Sequence, residues 1–470
     1  MDKTNRRNFL KLAALAASTP LATWASIPPA SNESAPRAWR TTGQQRYAPI
    51  EAPAWRAGTL TSATSIHLDP EQRYQQVLGF GAALTDASCY LLEQLDPTKR
   101  RALLEECFGV SGLRMSVART TIGASDYSLN AYTYDDVPSA DPELAHFSID
   151  HDRKYILPAL QEVQRVNPEL FYFSSPWSPP AWMKTGNSLL GGSMRKKYFD
   201  AYAQYFIKFL QGYAATGVKV SAVTVQNEID TDQDGRMPQA LWGQEYEMEF
   251  VSSHLGPALQ KAGLDTKIWI LDHNYNLWGR VVDELSDPDV YKYVDGVAWH
   301  GYFGAPTAMA RVHDMFPEKN AYWTEGGPDY TLPDYAKDWT KWSSTFTGIL
   351  RNWARCIVSW NMVLDENGKP NIGPFPCGGV VTLNSKSQEI TRSGQYWAFA
   401  HYSKTIQRGA RVFASWGELE GIDHLAVENP DHSRVLILTN KGREQTVQCT
   451  HKDESLAVSL PPDSVTTLVW

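Results

Sequence analysis

Eight short apolar runs, rich in β-branched and aromatic residues, recur between residues 77 and 362 of this chain. They are 77–81, 113–118, 170–175, 220–226, 267–271, 296–300, 321–324 and 356–362. Helical spacing of apolar residues separates most of them, clearest over 97–107, 156–165, 196–215, 242–262 and 339–354. Eight strand–helix repeats predict an α/β fold, a (β/α)8 TIM barrel. A doubly wound open sheet is the competing architecture, but no glycine-rich phosphate loop follows the first run.

A last helix is expected at 395–406, after which the texture changes. Short strands at 411–415, 424–428, 434–439, 445–450, 455–459 and 464–470 are separated by turn residues, with no helical period. This predicts a small antiparallel β-sandwich. Residues 58–76 are also strand-like and are expected to add edge strands to it. The expected division is a barrel over 77–407 and a side domain built from 58–76 plus 408–470.

The N-terminus carries Arg6-Arg7 and Phe9-Leu10, then an apolar run from Leu12 to Leu21 and small residues at Ala25-Ser26. That order resembles a twin-arginine export signal over 1–25, with a Pro-, Ser- and Ala-containing tail over 26–57. Export to the periplasm or exterior is the expected localisation. The apolar run is too short to span a bilayer comfortably, so no stable membrane insertion is expected after cleavage. Net charge is −8, with no basic stripe to argue for nucleic acid. Five scattered cysteines include no Cys-x-x-Cys and no Cys/His cluster, which argues against a structural zinc site, and their odd number prevents complete pairing within one chain. Most of them read as buried thiols. Nothing in the sequence fixes an oligomeric state.

Two strings carry the chemistry. Val225-Gln226-Asn227-Glu228 ends the fourth apolar run and Trp323-Thr324-Glu325-Gly326-Gly327 ends the seventh. Strand ends converge on one face of a barrel, so both glutamates can reach one pocket. Two facing carboxyls are what glycosidic cleavage requires: one protonates the leaving oxygen and the other attacks the anomeric carbon. Asn227 is placed to bond a sugar 2-hydroxyl. The chain has 17 Trp and 22 Tyr, whose faces can stack on the C–H faces of sugar rings.

Further strings resemble glycoside hydrolase family 30, the family of lysosomal glucocerebrosidase. They are Gly79-Phe80-Gly81-Ala82-Ala83-Leu84-Thr85-Asp86, Ser174-Ser175-Pro176-Trp177-Ser178-Pro179-Pro180-Ala181-Trp182-Met183-Lys184, and Ser359-Trp360-Asn361-Met362. Ala400-His401-Tyr402-Ser403-Lys404 with Gly409-Ala410 resembles the family's linker into its side domain. The resemblance spans about residues 66–470. It implies a retaining mechanism with no metal or other cofactor, Glu228 as acid/base and Glu325 as nucleophile. It also implies Asp126 as a holder of sugar hydroxyls, Trp177 and Trp360 as walls of the sugar site, and Tyr302 beside the nucleophile. Trp242 is placed at the entrance.

The expected activity is exo-cleavage of β-glucosides of the glucosylceramide type. Alternatives are β-1,6-glucanase, β-xylosidase or β-fucosidase activity, and, from another class, a noncatalytic glycan-binding barrel. The expected partner is a carbohydrate or glycoconjugate. Gly326-Gly327-Pro328 and Asn371-Ile372-Gly373 depart from the glucocerebrosidase pattern, and no arginine in 361–379 matches the glucuronate-binding residue of the xylanase branch.

Overall fold

The computed structural model describes residues 36–58, 65–230 and 235–470. The expected signal over 1–25 lies outside these residues. Eight parallel strands close into a barrel: Gly79–Ala83, Val117–Ile122, Phe171–Pro176, Val220–Thr224, Lys267–Asn274, Val294–His300, Asn320–Glu325 and Ala354–Ser359. Each overlaps one of the eight apolar runs. The second begins four residues later than its run and continues through Arg119, Thr120 and Thr121. Those polar residues hide the strand from a hydrophobicity pattern because they line the functional end of the barrel.

Side chains two apart along a strand share a face. Val117, Phe173, Ala222, Trp269, Ala298, Tyr322, Cys356 and Val358 pack together as one apolar layer drawn from seven barrel strands. Trp269 and Tyr322 stack with centroids 3.9 Å apart. This layer plugs the lumen, so the polar layer above it works on a solid floor.

The expected sandwich is one ten-stranded hydrogen-bonded sheet folded over its own core of Ile66, Leu68, Phe413, Leu436, Leu438, Leu456 and neighbours. Its boundaries correct two expectations. Residues 37–50 are not tail: Arg37–Thr42 pairs with Ser464–Val469, and Gln45–Ile50 pairs back on it. This hairpin fully buries only Ala38 and Thr41, so main-chain pairing with the far end of the chain orders it rather than an apolar pattern. Ser65–Gln76 is not an edge strand either. It lies between Arg411–Trp416 and Gln445–His451, antiparallel to the first and parallel to the second.

Helices Trp339–Leu350 and Gly394–Ser403 join the two regions. Ser343 Oγ bonds Thr439 Oγ1 at 2.6 Å, and His401 bonds Thr467 and Thr41 on the sheet. All five cysteines are free; Cys377 is partly exposed and the rest are buried. Among the described residues, no helix is long and apolar enough to cross a membrane.

Candidate active site

Two residues beyond the apolar layer, the same strands present Arg119, Ser175, Thr224, His300 and Thr324. These five converge on one buried carboxylate, Asp272. Arg119 donates to it at 2.7 Å, Ser175 at 2.7 Å, Thr224 and Thr324 at 2.8 Å, and His300 Nε2 lies 2.9 Å away. Strand period alone would aim Leu271 into the lumen, since Trp269 points inward. The fifth strand breaks register between Leu271 and His273, and both Leu271 and Asp272 adopt positive φ. This irregularity turns Asp272 inward in place of the leucine.

The polar layer holds the two glutamates. Glu325, at the end of the seventh strand, accepts from the Arg119 guanidinium and, through Oε1, from the Tyr302 hydroxyl at 3.0 Å. Arg119 also donates to Asn227 Oδ1 at 2.7 Å, which fixes the residue preceding Glu228. Glu228 has φ 49°, a strained region for a non-glycine residue, and its N–H donates to the Asp272 carbonyl at 2.9 Å. Its Oε1 lies 3.3 Å from His300 Nδ1 and 3.8 Å from His273 Nδ1. His300 Nε2 is 3.8 Å from Glu325 Oε2, so the two glutamates flank one imidazole.

Above them a cavity of about 460 Å³ opens to solvent. Asp126, Trp177, Asn227, Glu228, Tyr302, Glu325 and Trp360 all line it, so seven of the eight residues proposed from sequence meet in one place. Trp177 and Trp360 stack at 5.1 Å and 16°, with the Arg119 guanidinium 4.7 Å from the Trp177 ring centroid. Asp126 is buried, and its Oδ1 has no hydrogen-bond partner in the protein. Its carbonyl is clamped by Ile372 N–H at 2.8 Å, and a Cβ on Gly373 would come within 2.6 Å of the Asp126 Cβ. The glycine of the divergent 371–373 string is therefore required by close approach.

Trp242 is the exception. It is fully buried and stacks on Phe199 at 5.6 Å and 9°, with Phe250 5.3 Å away. The expected entrance residue is a packing residue of the helical shell. A Trp shortly after a strand end serves either purpose, and only Phe199 and Phe250 decide between them.

The charges are unevenly placed. Burial opposes the His300 imidazolium, but Glu325, Asp272 and Glu228 outweigh it and raise its pKa to about 9. Burial likewise opposes charge on Asp272, yet Arg119 and His300 hold it well below the carboxylate range. Glu228 is desolvated but held low by the His300 hydrogen bond. Burial raises Glu325, and Arg119 and His300 limit the rise. Burial, followed by Glu325 and Glu228, pushes Asp126 well up. Glu228, His273 and His300 bring metal-ligand atom types within 4.8 Å of one another, but a His300 ring holding both protons offers no lone pair near neutral pH.

Sequence reasoning passed over Arg119, Asp272, His273 and His300. The available signal was a charged residue inside or ending an apolar strand: Val117-Ala118-Arg119, Ile270-Leu271-Asp272 and Ala298-Trp299-His300.

Comparison with known proteins identifies the family. Residues 77–406 match the glycosyl hydrolase family 30 TIM-barrel domain, and 409–468 match the family's β-sandwich domain. An endo-1,6-β-D-glucanase of Neurospora crassa is 32% identical, over 86% of this chain and 88% of its own length. The lysosomal acid glucosylceramidase of Mus musculus is 29% identical, over 92% and 88%. A solved endo-β-1,6-glucanase structure superposes with a TM-score of 0.84 at 30% identity, covering 93% of this chain and 99% of that one. With both domains matched and a two-carboxylate site at the head of the barrel, this chain belongs to glycoside hydrolase family 30 and is a glycoside hydrolase.

Proposed function

We propose that the enzyme hydrolyses β-glucosidic bonds with retention of configuration, with Glu325 as nucleophile and Glu228 as acid/base, and that β-1,6-linked glucose chains are its preferred substrate. The observation that carries the assignment of roles is the different company of the two carboxylates. Glu325 lies against a guanidinium, which offsets part of the rise that burial imposes on its pKa, and a phenol, which aims its oxygen. Glu228 lies against His300, with which it can share a proton.

In the first step a Glu325 oxygen bonds the anomeric carbon as the C1–O bond breaks, and the leaving oxygen takes a proton. The free site keeps that proton on His300. An alkoxide developing at Glu228 is a stronger base than either partner and draws it through the carboxyl. Glu228, ionised again once the proton has passed through it and with His300 left neutral, then removes a proton from the water that releases the sugar from Glu325, and that proton returns to His300. Asp126, whose Oδ1 lacks a protein partner, supplies an acceptor for a ring hydroxyl, and Trp177 and Trp360 wall the ring. A sugar that lacks or misplaces that hydroxyl leaves the carboxylate unsatisfied, so glucoside should exceed galactoside by orders of magnitude in kcat/KM.

The two endo-1,6-β-glucanases above support the choice of linkage. A second reading, an apolar aglycone of the glucosylceramide type with exo action, draws support from the rim. Leu190, Leu241, Tyr302, Phe303, Leu332 and Phe375 are exposed in the connections that follow barrel strands, the first two on a small two-stranded sheet, and they are six of the nine exposed large apolar side chains among the described residues. Product analysis separates the readings. Proton NMR of a gentio-oligosaccharide digest should show the β-anomer first; an α-anomer first would mean inversion. Internal cleavage gives gentiobiose and longer products, and exo cleavage gives glucose from the start. Higher kcat/KM on detergent-dispersed glucosylceramide than on gentio-oligosaccharides would replace the first reading with the second.

A further inference from the structure

The long connection between the second barrel strand, Val117–Ile122, and the helix Ile156–Val166 contains no regular helix or strand. It carries Asp126 into the active site and is held in place by buried carboxylates. Asp152 accepts from the hydroxyls of Tyr132 at 3.2 Å, Tyr134 at 2.6 Å and Tyr213 at 2.5 Å. Asp86 receives Leu129 N–H at 3.2 Å and the Tyr155 hydroxyl at 3.1 Å, and His151 Nε2 lies 2.9 Å away. Both anchors are satisfied by the protein.

The third is not. Asp135 is 1% exposed, and neither of its carboxylate oxygens has a hydrogen-bond partner. Its backbone is engaged normally: the Trp182 indole donates to its carbonyl at 3.2 Å, and its N–H donates to Thr133 Oγ1 at 3.3 Å. The Trp182 indole beside it eases the charge on the carboxyl without reaching either oxygen in hydrogen-bond geometry, and burial with Asp141 raises the Asp135 pKa to about 6; a buried carboxylate left so poorly satisfied is costly. Its carboxylate faces Asp141 and His146, and one ligand-type atom from each of the three lies within 4.8 Å of the other two. Asp141 and His146 are already joined, with His146 Nδ1 2.9 Å and His146 N 3.0 Å from Asp141 Oδ2. Three ligands on a tetrahedral zinc stand roughly 3.3 Å apart, so closing the site asks for a shift of about 1–1.5 Å. The His146 ring, exposed to solvent though joined to Asp141, can move with that carboxylate to supply it.

We propose that Asp135, Asp141 and His146 form a binding site for a divalent transition-metal cation such as zinc, which pins the loop that carries Asp126. Two carboxylates and an imidazole are hard and intermediate donors, a set suited to zinc rather than to the all-oxygen shell of calcium. The spacing, Asp-x5-Asp-x4-His, matches no closed Cys/His zinc motif, which is why composition gave no hint of it.

The test is isothermal titration of the full chain with zinc chloride at pH 7.5, in a His273→Ala background that disables the other cluster of ligand-type atoms. One equivalent should bind. His146→Ala, an exposed change that leaves the core untouched, should weaken binding at least tenfold, and Asp135→Asn should abolish it. Zinc should raise the thermal midpoint of the parent and not of His146→Ala. Absence of saturable one-equivalent binding, or equal affinity in the parent and His146→Ala, would overturn the proposal. Calcium binding with equal affinity in both, together with no zinc preference in the parent, would also overturn it.

Discussion

Two histidines, both fully buried, stand in different parts of the same architecture, one charged and one neutral. His300 ends a barrel strand inside the polar layer. His401 lies in the helix Gly394–Ser403 that faces the side domain, with Nε2 2.8 Å from Thr41 Oγ1 and Nδ1 2.9 Å from Thr467 Oγ1. Burial alone acts on His401 and lowers its pKa to about 3, so it is neutral, and two hydroxyls suffice for a ring with one donor and one acceptor. Burial also opposes charge on His300, but three carboxylates reverse the outcome, to about 9. The same side chain is thus a domain fastener in one place and a proton reservoir in the other. Desolvation sets the starting point, and the nearest charges decide the sign.

Changes that remove charge from one side only test this contrast. The largest effect is expected from Glu325→Ala, which deletes the proposed nucleophile and leaves room for an external anion. Turnover of an activated aryl β-glucoside should fall about 10⁴-fold or more, with azide restoring part of it as an α-glycosyl azide. A loss below tenfold would rule out that role. Next comes Asp272→Asn, which leaves Arg119 and His300 without the carboxylate they share. Unfolding in urea should show a cost of about 3–5 kcal/mol, as for other broken buried ion pairs. The His300 titration, followed by NMR, should also fall toward its ordinary value. If the ring still titrates near 9, Asp272 does not help to set its charge.

His401→Gln should cost about 1–2 kcal/mol, because Gln can still bond one threonine, and should leave kcat within twofold. A large kcat loss would mean that the side domain acts on the site. The finest test is the pH dependence of stability, at most about 1.4 kcal/mol per pH unit for each ring. The folded pKa of His300 lies above its unfolded value. Its contribution is therefore complete below about 6.5 and is lost as pH rises through about 9. The folded pKa of His401 lies below its unfolded value. Its contribution is present above about 6.5 and is lost as pH falls toward about 3. In urea unfolding, the stability difference between wild type and His300→Gln should fall with pH between about 6.5 and 9, and that for His401→Gln should rise with pH between about 3 and 6.5. Slopes of the same sign would remove the distinction.

The sequence by itself determined the elements whose signal is local. Eight barrel strands show as apolar runs because a buried parallel strand is apolar on both faces, and the sandwich strands show as short runs cut by turn residues. Glu228 and Glu325 were legible because each follows such a run, and Asp126, Trp177, Asn227, Tyr302 and Trp360 because they stand in strings similar to one family's. The tertiary structure decided which way a side chain points and what it meets. The irregularity at Leu271 and Asp272 sets the aspartate inward, where Arg119 and His300 meet it from strands far away in sequence. Trp242 turned away from the cavity because Phe199 was there to receive it. Residues 37–50 became strands because the last strand offered free backbone partners more than 400 residues later. Periodicity and composition act over a few residues, whereas charge state, orientation and edge pairing depend on neighbours that only the closed barrel and its side domain bring near.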